Sequence, residues 1–537
     1  MPETTYTDVS TVDAPARPGG PAGASLVPAL TIISHPVARR AGEQLLLEGL
    51  TVAREVSLSR NAPDFTRPGS SLGQPLADPF LSRKPLVLAP TAGGGVSLQL
   101  GDSGIRVEVA GVPLQGEREF TREELAAGVP LELSQRVALL LHLVPVPTAA
   151  SSDELGMVGQ SAGVRRVRED IARVADLGLP VLIRGETGAG KELVARAIHQ
   201  RSPRRRGPFV SVNLGAIPKE LAAAELFGAH RGAYTGATRD REGYFRAAHG
   251  GTLFLDEVGE ASPEVQVLLL RALETGELYP VGGHTPVAVD VRLVAATDAH
   301  LEEQIRQGLF KAPLLHRLAS FEIRVPPLRS RREDIGPLFL HFARQELEAL
   351  GEAWRLEPED PRAEPWLPSS LATRLVRHAW PGNIRQLRNV ARQLVVRSRG
   401  QPQAQVNPQL EQELEPVATP ALTVAPASRP SEEPATPTPT RRKASEVGQE
   451  ELLAALRESA WDVKAAASRL GISRASLYDL IDKSPNVRTS KALSPEEVHR
   501  CFQECRGDVD AMAQRLEVSR RGLLRRLREL GLAPVGS

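Results

Sequence analysis

Cysteine is nearly missing from this 537-residue chain: only Cys501 and Cys505 occur, spaced C-x3-C. Two thiols with no histidine pair nearby make a poor metal site, and they read as ordinary helix residues of a reducing compartment. Net charge is nearly missing too. The 66 Lys and Arg against 65 Asp and Glu leave +1, so no global field recruits a partner and any nucleic-acid patch must be local. No run is long and apolar enough to span a bilayer, and the start lacks the basic-then-apolar pattern of a signal peptide. The expected compartment is the cytoplasm, with no membrane partner.

What is present divides the chain. Its length exceeds one core and suits two to four domains. Residues 1–28 are rich in Pro, Ala, Gly and Thr and read as a disordered tail. Residues 29–147 alternate short apolar runs with turn signals ("ALTIISH", "PLVLAP", "VALLLHLV"), the spacing of a β-sandwich. Residues 155–330 mix apolar strands and amphipathic helices, as in a nucleotide-binding α/β domain, and 331–400 suit a helical lid. Residues 401–445 form a Pro-rich linker, extended in expectation. Residues 446–533 read as all-α and contain a duplication. "AWDVKAAASRLGISRASLYDLI" aligns without gaps to "RGDVDAMAQRLEVSRRGLLRRL", pairing Val463 with Val509, Leu470 with Leu516 and Leu477 with Leu523 at an offset of 46.

The chemistry concentrates in "VLIRGETGAGKE". An apolar strand precedes Gly185, Glu186, Thr187, Gly188, Ala189, Gly190 and Lys191. Backbone N–H groups of such a loop can close round a triphosphate. Lys191 supplies a cation, and the helix opening at Glu192 adds its positive end. Glu192 stands where a magnesium-binding hydroxyl is usual. "GGTLFLDEVGE" is a second apolar strand, ending in Asp256 and Glu257. Asp256 can hold Mg²⁺ through water, and Glu257 can polarise an attacking water. A third strand, "VRLVAATDAHL", ends in Thr297 and Asp298, polar groups suited to sensing a γ-phosphate.

These motifs, with "ELFGAHRGAYTGA", "PPLRSRREDI" and "WPGNIRQLRN" in order, resemble the AAA+ domain of bacterial enhancer-binding proteins, the sigma-54-dependent transcriptional activators, over roughly residues 157–400. The resemblance implies an ATP- and Mg²⁺-dependent ATPase acting as a homo-oligomeric ring, a hexamer. It implies that Gly232, Ala233, Tyr234, Thr235, Gly236 and Ala237 form the loop that grips sigma-54 RNA polymerase, with Tyr234 in place of the family's Phe. Asn213 would restrain Glu257, Arg317 would reach a neighbour's ATP as an arginine finger, and Arg385 would be the lid arginine reading phosphates. Three positions depart from the pattern. Lys311 replaces an Arg, Pro313 an acid and Asp298 an Asn.

Both tail repeats resemble the Fis-type helix-turn-helix. The implied ligand is double-stranded DNA upstream of promoters, met by Ser473, Arg474, Ser476 and Tyr478 in one repeat and Ser519, Arg520, Arg521 and Arg525 in the other. Either both repeats touch DNA or one serves dimerisation. The front region resembles a forkhead-associated domain, with Arg54, Ser82 and Arg83 matched to a phosphothreonine site for a partner protein or kinase. Pro85 stands where that family's structural His belongs, and Ala110 where its peptide-positioning Asn belongs. Two other functions fit parts of the chain. One is a regulator whose ATPase domain only switches oligomer state. The other is an AAA+ remodeller of another protein, against which the paired helix-turn-helix units argue.

Overall fold

The structure, a computed structural model, describes residues 26–146, 155–233, 239–358, 360–414 and 493–505, with scattered positions between 452 and 530. Two compact units divide the chain, Met1–Ala421 and Leu422–Ser537.

The first unit opens with twelve strands: β1 (Leu26–Ser34), β2 (Gln44–Leu46), β3 (Val56–Leu58), β4 (Phe65–Thr66), β5 (Gly73–Gln74), β6 (Leu86–Pro90), β7 (Val96–Gln99), β8 (Val107–Val109), β9 (Val112–Pro113), β10 (Glu117–Phe120), β11 (Val129–Leu133) and β12 (Val137–Pro145). Helices α1 (Glu48–Thr51) and α2 (Arg122–Ala127) are short insertions, the second closed by a Thr121–Glu124 capping box. The strands form an eight-stranded sheet, β5-β4-β2-β1-β12-β11-β8-β9, and a four-stranded sheet, β10-β7-β6-β3. Leu30, Leu139 and Leu141 of the first sheet share one core with Leu58, Leu88 and Leu98 of the second. The expected tail overlaps β1. Leu26, Val27 and Pro28 pair with Pro145, Val144 and Leu143 because the strand's apolar pattern continues through them.

The next part is a parallel five-stranded sheet, order β14-β15-β18-β13-β19, with β13 (Val181–Arg184), β14 (Phe209–Asn213), β15 (Thr252–Asp256), β18 (Arg292–Thr297) and β19 (Phe321–Arg324). The inner strands are apolar along nearly their whole length because helices cover both faces. A small antiparallel pair, β16 (Glu277–Leu278) with β17 (Val287–Ala288), stands apart. The helices are α3 (Ala162–Val174), α4 (Lys191–Arg201), α5 (Lys219–Phe227), α6 (Tyr244–Ala247), α7 (Pro263–Thr275), α8 (Leu301–Arg306) and α9 (Ala312–Leu318). Strand β13 takes its neighbours from far along the chain on both sides, so a crevice opens beyond its C-terminal end.

A helical part follows: α10 (Ile335–Ala349), α11 (Ser369–Arg377), α12 (Asn383–Arg397) and α13 (Pro408–Leu414). Here the expected linker start at 401 is corrected. Ala404, Leu410 and Leu414 are buried in the core of this part, and the Asn407 side chain caps α13 by accepting from the Leu410 N–H. An amphipathic "NPQLEQEL" sits inside the Pro-rich composition and carries the lid to Leu414.

In the second unit, α14 (Pro495–Glu504) is capped by Ser494. Leu452, Ala455, Ala466, Leu470 and Leu477 are buried, and so are Val498, Cys501, Met512, Leu516 and Leu523, each 46 residues later. At these five pairs of described positions both repeats are buried, and Cys501 is equivalent to Ala455.

Two buried histidines make the front part acid-sensitive. His142 bonds Thr31 Oγ1 at 2.7 Å, and His35 bonds the Leu76 carbonyl at 2.9 Å while accepting from the Val37 N–H. Burial holds both well below the ordinary value of 6.5, at about 4, with Arg40 adding to the effect at His35. The unfolded chain then binds more protons between these values, so stability is full above pH 6.5 and falls as the pH drops toward 4. Lowering the pH from 7 to 5 is expected to cost about 2 kcal/mol per histidine. Urea unfolding of the front part followed at both pH values, with His142→Gln losing about half of the dependence, checks this.

Candidate nucleotide site

Beyond β13 the chain turns through Gly185 to Gly190 and enters α4 at Lys191. Gly188 and Gly190 have φ of +75° and +108°, conformations that suit glycine. Gly188 meets a second demand. A Cβ there would overlap the Gly382 carbonyl oxygen and lie 3.0 Å from the Arg385 Cβ. In the first turn of α12, the Ile384 and Arg385 N–H groups donate to the Gly188 carbonyl at 3.0 and 3.4 Å. The lid therefore rests directly on the phosphate loop. Lys191 is buried, and its Nζ donates to the Gly185 and Glu186 carbonyls at 2.8 and 3.3 Å.

Charge around the loop is paired. Arg329 grips the Glu186 carboxylate with two bonds, 2.7 and 2.5 Å, and Asn383 Nδ2 adds a third at 3.1 Å. The Arg329 bonds first, then the Asn383 bond, hold the Glu186 carboxyl down at about 2. Thr187 donates to Asp298 Oδ2 at 2.5 Å. Glu192 faces away, paired with Arg196 one turn along α4. Asn383, fully buried at φ +50°, also accepts from the Leu328 N–H and donates to the Thr187 carbonyl.

Asp256 ends β15, beside Asn213 at the end of β14. The Asp256 carboxylate accepts from the Glu257 N–H at 3.0 Å, and Glu257 takes a left-handed φ of +56°. Gly215 fills the narrow gap in front. A Cβ there would overlap Glu257 Oε2 and lie 3.3 Å from Asn213 Oδ1. Thr297 is buried and its hydroxyl accepts from the Ala299 N–H, while its carbonyl accepts from Gly185. An apolar cavity of about 100 Å³ opens beside Ala189 and Gly190, walled by Met157, Val164, Leu193, Phe342 and Ile384. Buried Arg331 closes one side and donates to the Ala189 carbonyl at 3.2 Å. Cradle, cation, paired carboxylates and apolar slot together suit a magnesium-bound nucleoside triphosphate.

Arg317 on α9 is exposed and pairs with Glu274 of α7, not with the phosphate loop. Arg385 meets the loop through its backbone, and its side chain is exposed. Sequence reasoning missed Arg329, Arg331 and Asn383. The Pro-Gly-Asn turn inside "WPGNIRQLRN" was the available signal for the last.

The front-part residues do not converge. Strand β3 pairs antiparallel with β6, Val56 with Leu88 and Leu58 with Leu86, and the Arg60 N–H donates to the Ser82 carbonyl. Ser82 and Arg83 thus lie beyond one end of β3, and Arg54 beyond the other. Ala110 turns its carbonyl to Arg377 of α11 at 2.8 Å. Gly232 and Ala233 are described, but Tyr234, Thr235, Gly236 and Ala237 lie outside the described residues, as do Ser473, Arg474, Ser476, Tyr478, Ser519, Arg520, Arg521 and Arg525.

Residues 157–324 match the family model described as the sigma-54 interaction domain, 329–418 the AAA+ ATPase lid domain, and 444–483 the bacterial regulatory protein, Fis family. The DNA-binding transcriptional regulator NtrC of Salmonella typhimurium is 43% identical over 281 residues, 51% of this chain and 58% of that protein. Its namesake from a Bradyrhizobium species is 47% identical over 242 residues, 45% of this chain and 48% of that one. The chain thus spans about half the length of these relatives. Among solved structures, NtrX from Brucella abortus in complex with ADP is 30% identical, with 71% of this chain and 70% of that one covered and a TM-score of 0.43. Residues 157–418 are a sigma-54 interaction ATPase module with its AAA+ lid, carried in one chain with a Fis-family regulatory segment.

Proposed function

We propose that this protein is a sigma-54-dependent transcriptional activator. It holds DNA upstream of a promoter and uses ATP hydrolysis in a hexameric ring to remodel sigma-54 RNA polymerase into an open complex. The observation that carries the reading is the cradle at Gly185–Lys191 closed by the lid, in a chain whose ATPase module also contains the "GAYTGA" insertion. The base of that insertion is pinned. Ala229 bridges to Arg241 and Val281, and the Arg231 N–H donates to Asp240 at 2.8 Å. A loop on a fixed base can transmit a push.

In this reading Lys191 and the loop N–H groups hold the triphosphate, and Asp256 holds Mg²⁺ through water. Glu257 polarises the attacking water, released from or restrained by Asn213. Thr297 and Asp298 lie on the γ-phosphate side, Arg385 approaches from the lid, and Arg317 serves the neighbouring subunit. Its exposure and its exchangeable pairing with Glu274 support that last role. The two tail repeats bind DNA together, a reading supported by their matched buried positions. The front part is proposed as a forkhead-associated-like β-sandwich with a regulatory role. Its separated Arg54 and Ser82–Arg83 give no support to phosphothreonine recognition at that trio. A second reading, nucleotide binding that only switches oligomer state, draws on Asp298, whose carboxylate sits against the phosphate loop through Thr187.

Tyr234→Ala separates the two. The activator reading expects ATP turnover retained and transcription from a sigma-54 promoter lost, whereas the switch reading expects no change in either. Lys191→Ala is expected to abolish ATP binding, measured by titration calorimetry. Gly215→Ala is expected to push the Glu257 carboxylate aside. Turnover should fall about tenfold, ~1.4 kcal/mol of barrier, with ATP affinity unchanged, as steady-state kinetics would show.

A further inference from the structure

Strand β12 is apolar at successive residues, not alternate ones. Leu139 and Leu141 face the core between the two front sheets, while Ala138 and Leu140 belong to the core of the lid. Strand β1 divides the same way, with Ile32 on one side and Ile33 on the other. An antiparallel sheet with one solvated face would alternate apolar with polar. Here the second face is apolar and covered. Helix α11 lies against β11 and β12, and α10 against β1. Ile33, Ala138 and Leu140 share one core with Ile335, Phe339, Leu371 and Leu375.

Polar contacts fix the docking. Arg136 is held by Asp78 and donates to the Pro361, Arg362 and Ala363 carbonyls at 3.0, 3.4 and 2.9 Å. Ser34 donates to the Leu367 carbonyl at 3.0 Å, and Arg377 to that of Ala110. At Gly336 in α10 the backbones nearly touch, since a Cβ there would overlap the Ile33 carbonyl oxygen. The same interface reaches the nucleotide site. A cavity of about 140 Å³ separates Gly128, Leu140 and His142 from Arg329, Ser330, Arg332 and Glu333. Arg329, on one side of that short segment, is the residue that grips Glu186 in the phosphate loop. Arg331, two residues on, bonds the Ala189 carbonyl, and Asp334 ties the segment to the start of α3 through the Gln160 and Ser161 N–H groups.

We infer that the front part acts in cis as a clamp on the lid, holding segment 328–334 and the start of α12 closed on the phosphate loop and so limiting how fast nucleotide leaves. The inference rests on the nucleotide reading of that loop. It assigns the front part a mechanical role that needs no phosphopeptide. The apolar face of β1 and β12 is the working surface.

The test uses the full-length protein and mant-ADP as probe. Gly336→Val drives a side chain against the Ile33 carbonyl. Leu140→Asp places a charge in the covered face and leaves Leu139 and Leu141 in the other core. Neither residue belongs to the nucleotide site. In both variants, hydrogen exchange should quicken in residues 129–145 and 369–377, and stopped-flow release of mant-ADP should accelerate at least threefold. Faster exchange with unchanged release in both variants would overturn the coupling alone. Unchanged exchange in both would overturn the seat itself. A wild-type protein that binds no mant-ADP would overturn the nucleotide reading, and the clamp with it.

Discussion

The close approach of two backbones at Gly188 and Gly382 sets the geometry of everything around the nucleotide site. A Cβ at Gly188 would overlap the Gly382 carbonyl oxygen, and the Ile384 and Arg385 amides of α12 are committed to the Gly188 carbonyl of the phosphate loop. The α/β part and the lid therefore present one composite surface. The loop supplies the cradle, and the lid and the segment before it supply Arg329, Arg331 and Asn383. Any movement of the lid is a movement of groups that touch the loop directly. Such an arrangement is suited to coupling nucleotide state to shape without a long relay.

Charge handling follows the same logic. Buried or half-buried arginines at the seams mostly meet backbone carbonyls: Arg136 meets three, Arg331 one and Arg377 one. A guanidinium can satisfy several carbonyls in fixed directions, so it orients one part against another as well as attracting it. Arg136 adds a carboxylate partner, Asp78, and the more exposed Arg329 pairs with Glu186. The front part thus joins the lid through an apolar face trimmed with directional polar contacts, the pattern of a stable docking surface.

Much of this was legible in the residues. The Gly-rich loop and the "LFLDE" strand end were legible because each is local, a few residues wide, and carries its own geometry, and the duplication was legible as one gapless register held over 22 residues. Burial at an offset of 46 agrees with it at five pairs of described positions. Arg329 and Asn383 were not legible as site residues, because their contacts with Glu186 span 143 and 197 residues of chain. The relative placement of Arg54, Ser82 and Arg83 was not legible for a related reason. Motif spacing carries no strand register, and the β3–β6 pairing puts Arg54 beyond the end of β3 opposite to Ser82 and Arg83. Helix α13 hid in a Pro-rich stretch whose composition outweighed its amphipathic pattern. The run "VALLLHLV" held the clearest unread clue, since two-sided burial of an antiparallel strand demands a second partner.

The most direct test of the account is hydrogen exchange of the full-length protein with and without ATP and Mg²⁺, read at the phosphate loop, residues 185–191, and at the lid start, residues 382–388. A cleft built jointly by loop and lid should show slower exchange at both segments, with the same dependence on ATP concentration. Slowing confined to 185–191, with 382–388 unchanged at saturating ATP, would contradict it and leave the lid outside the nucleotide site.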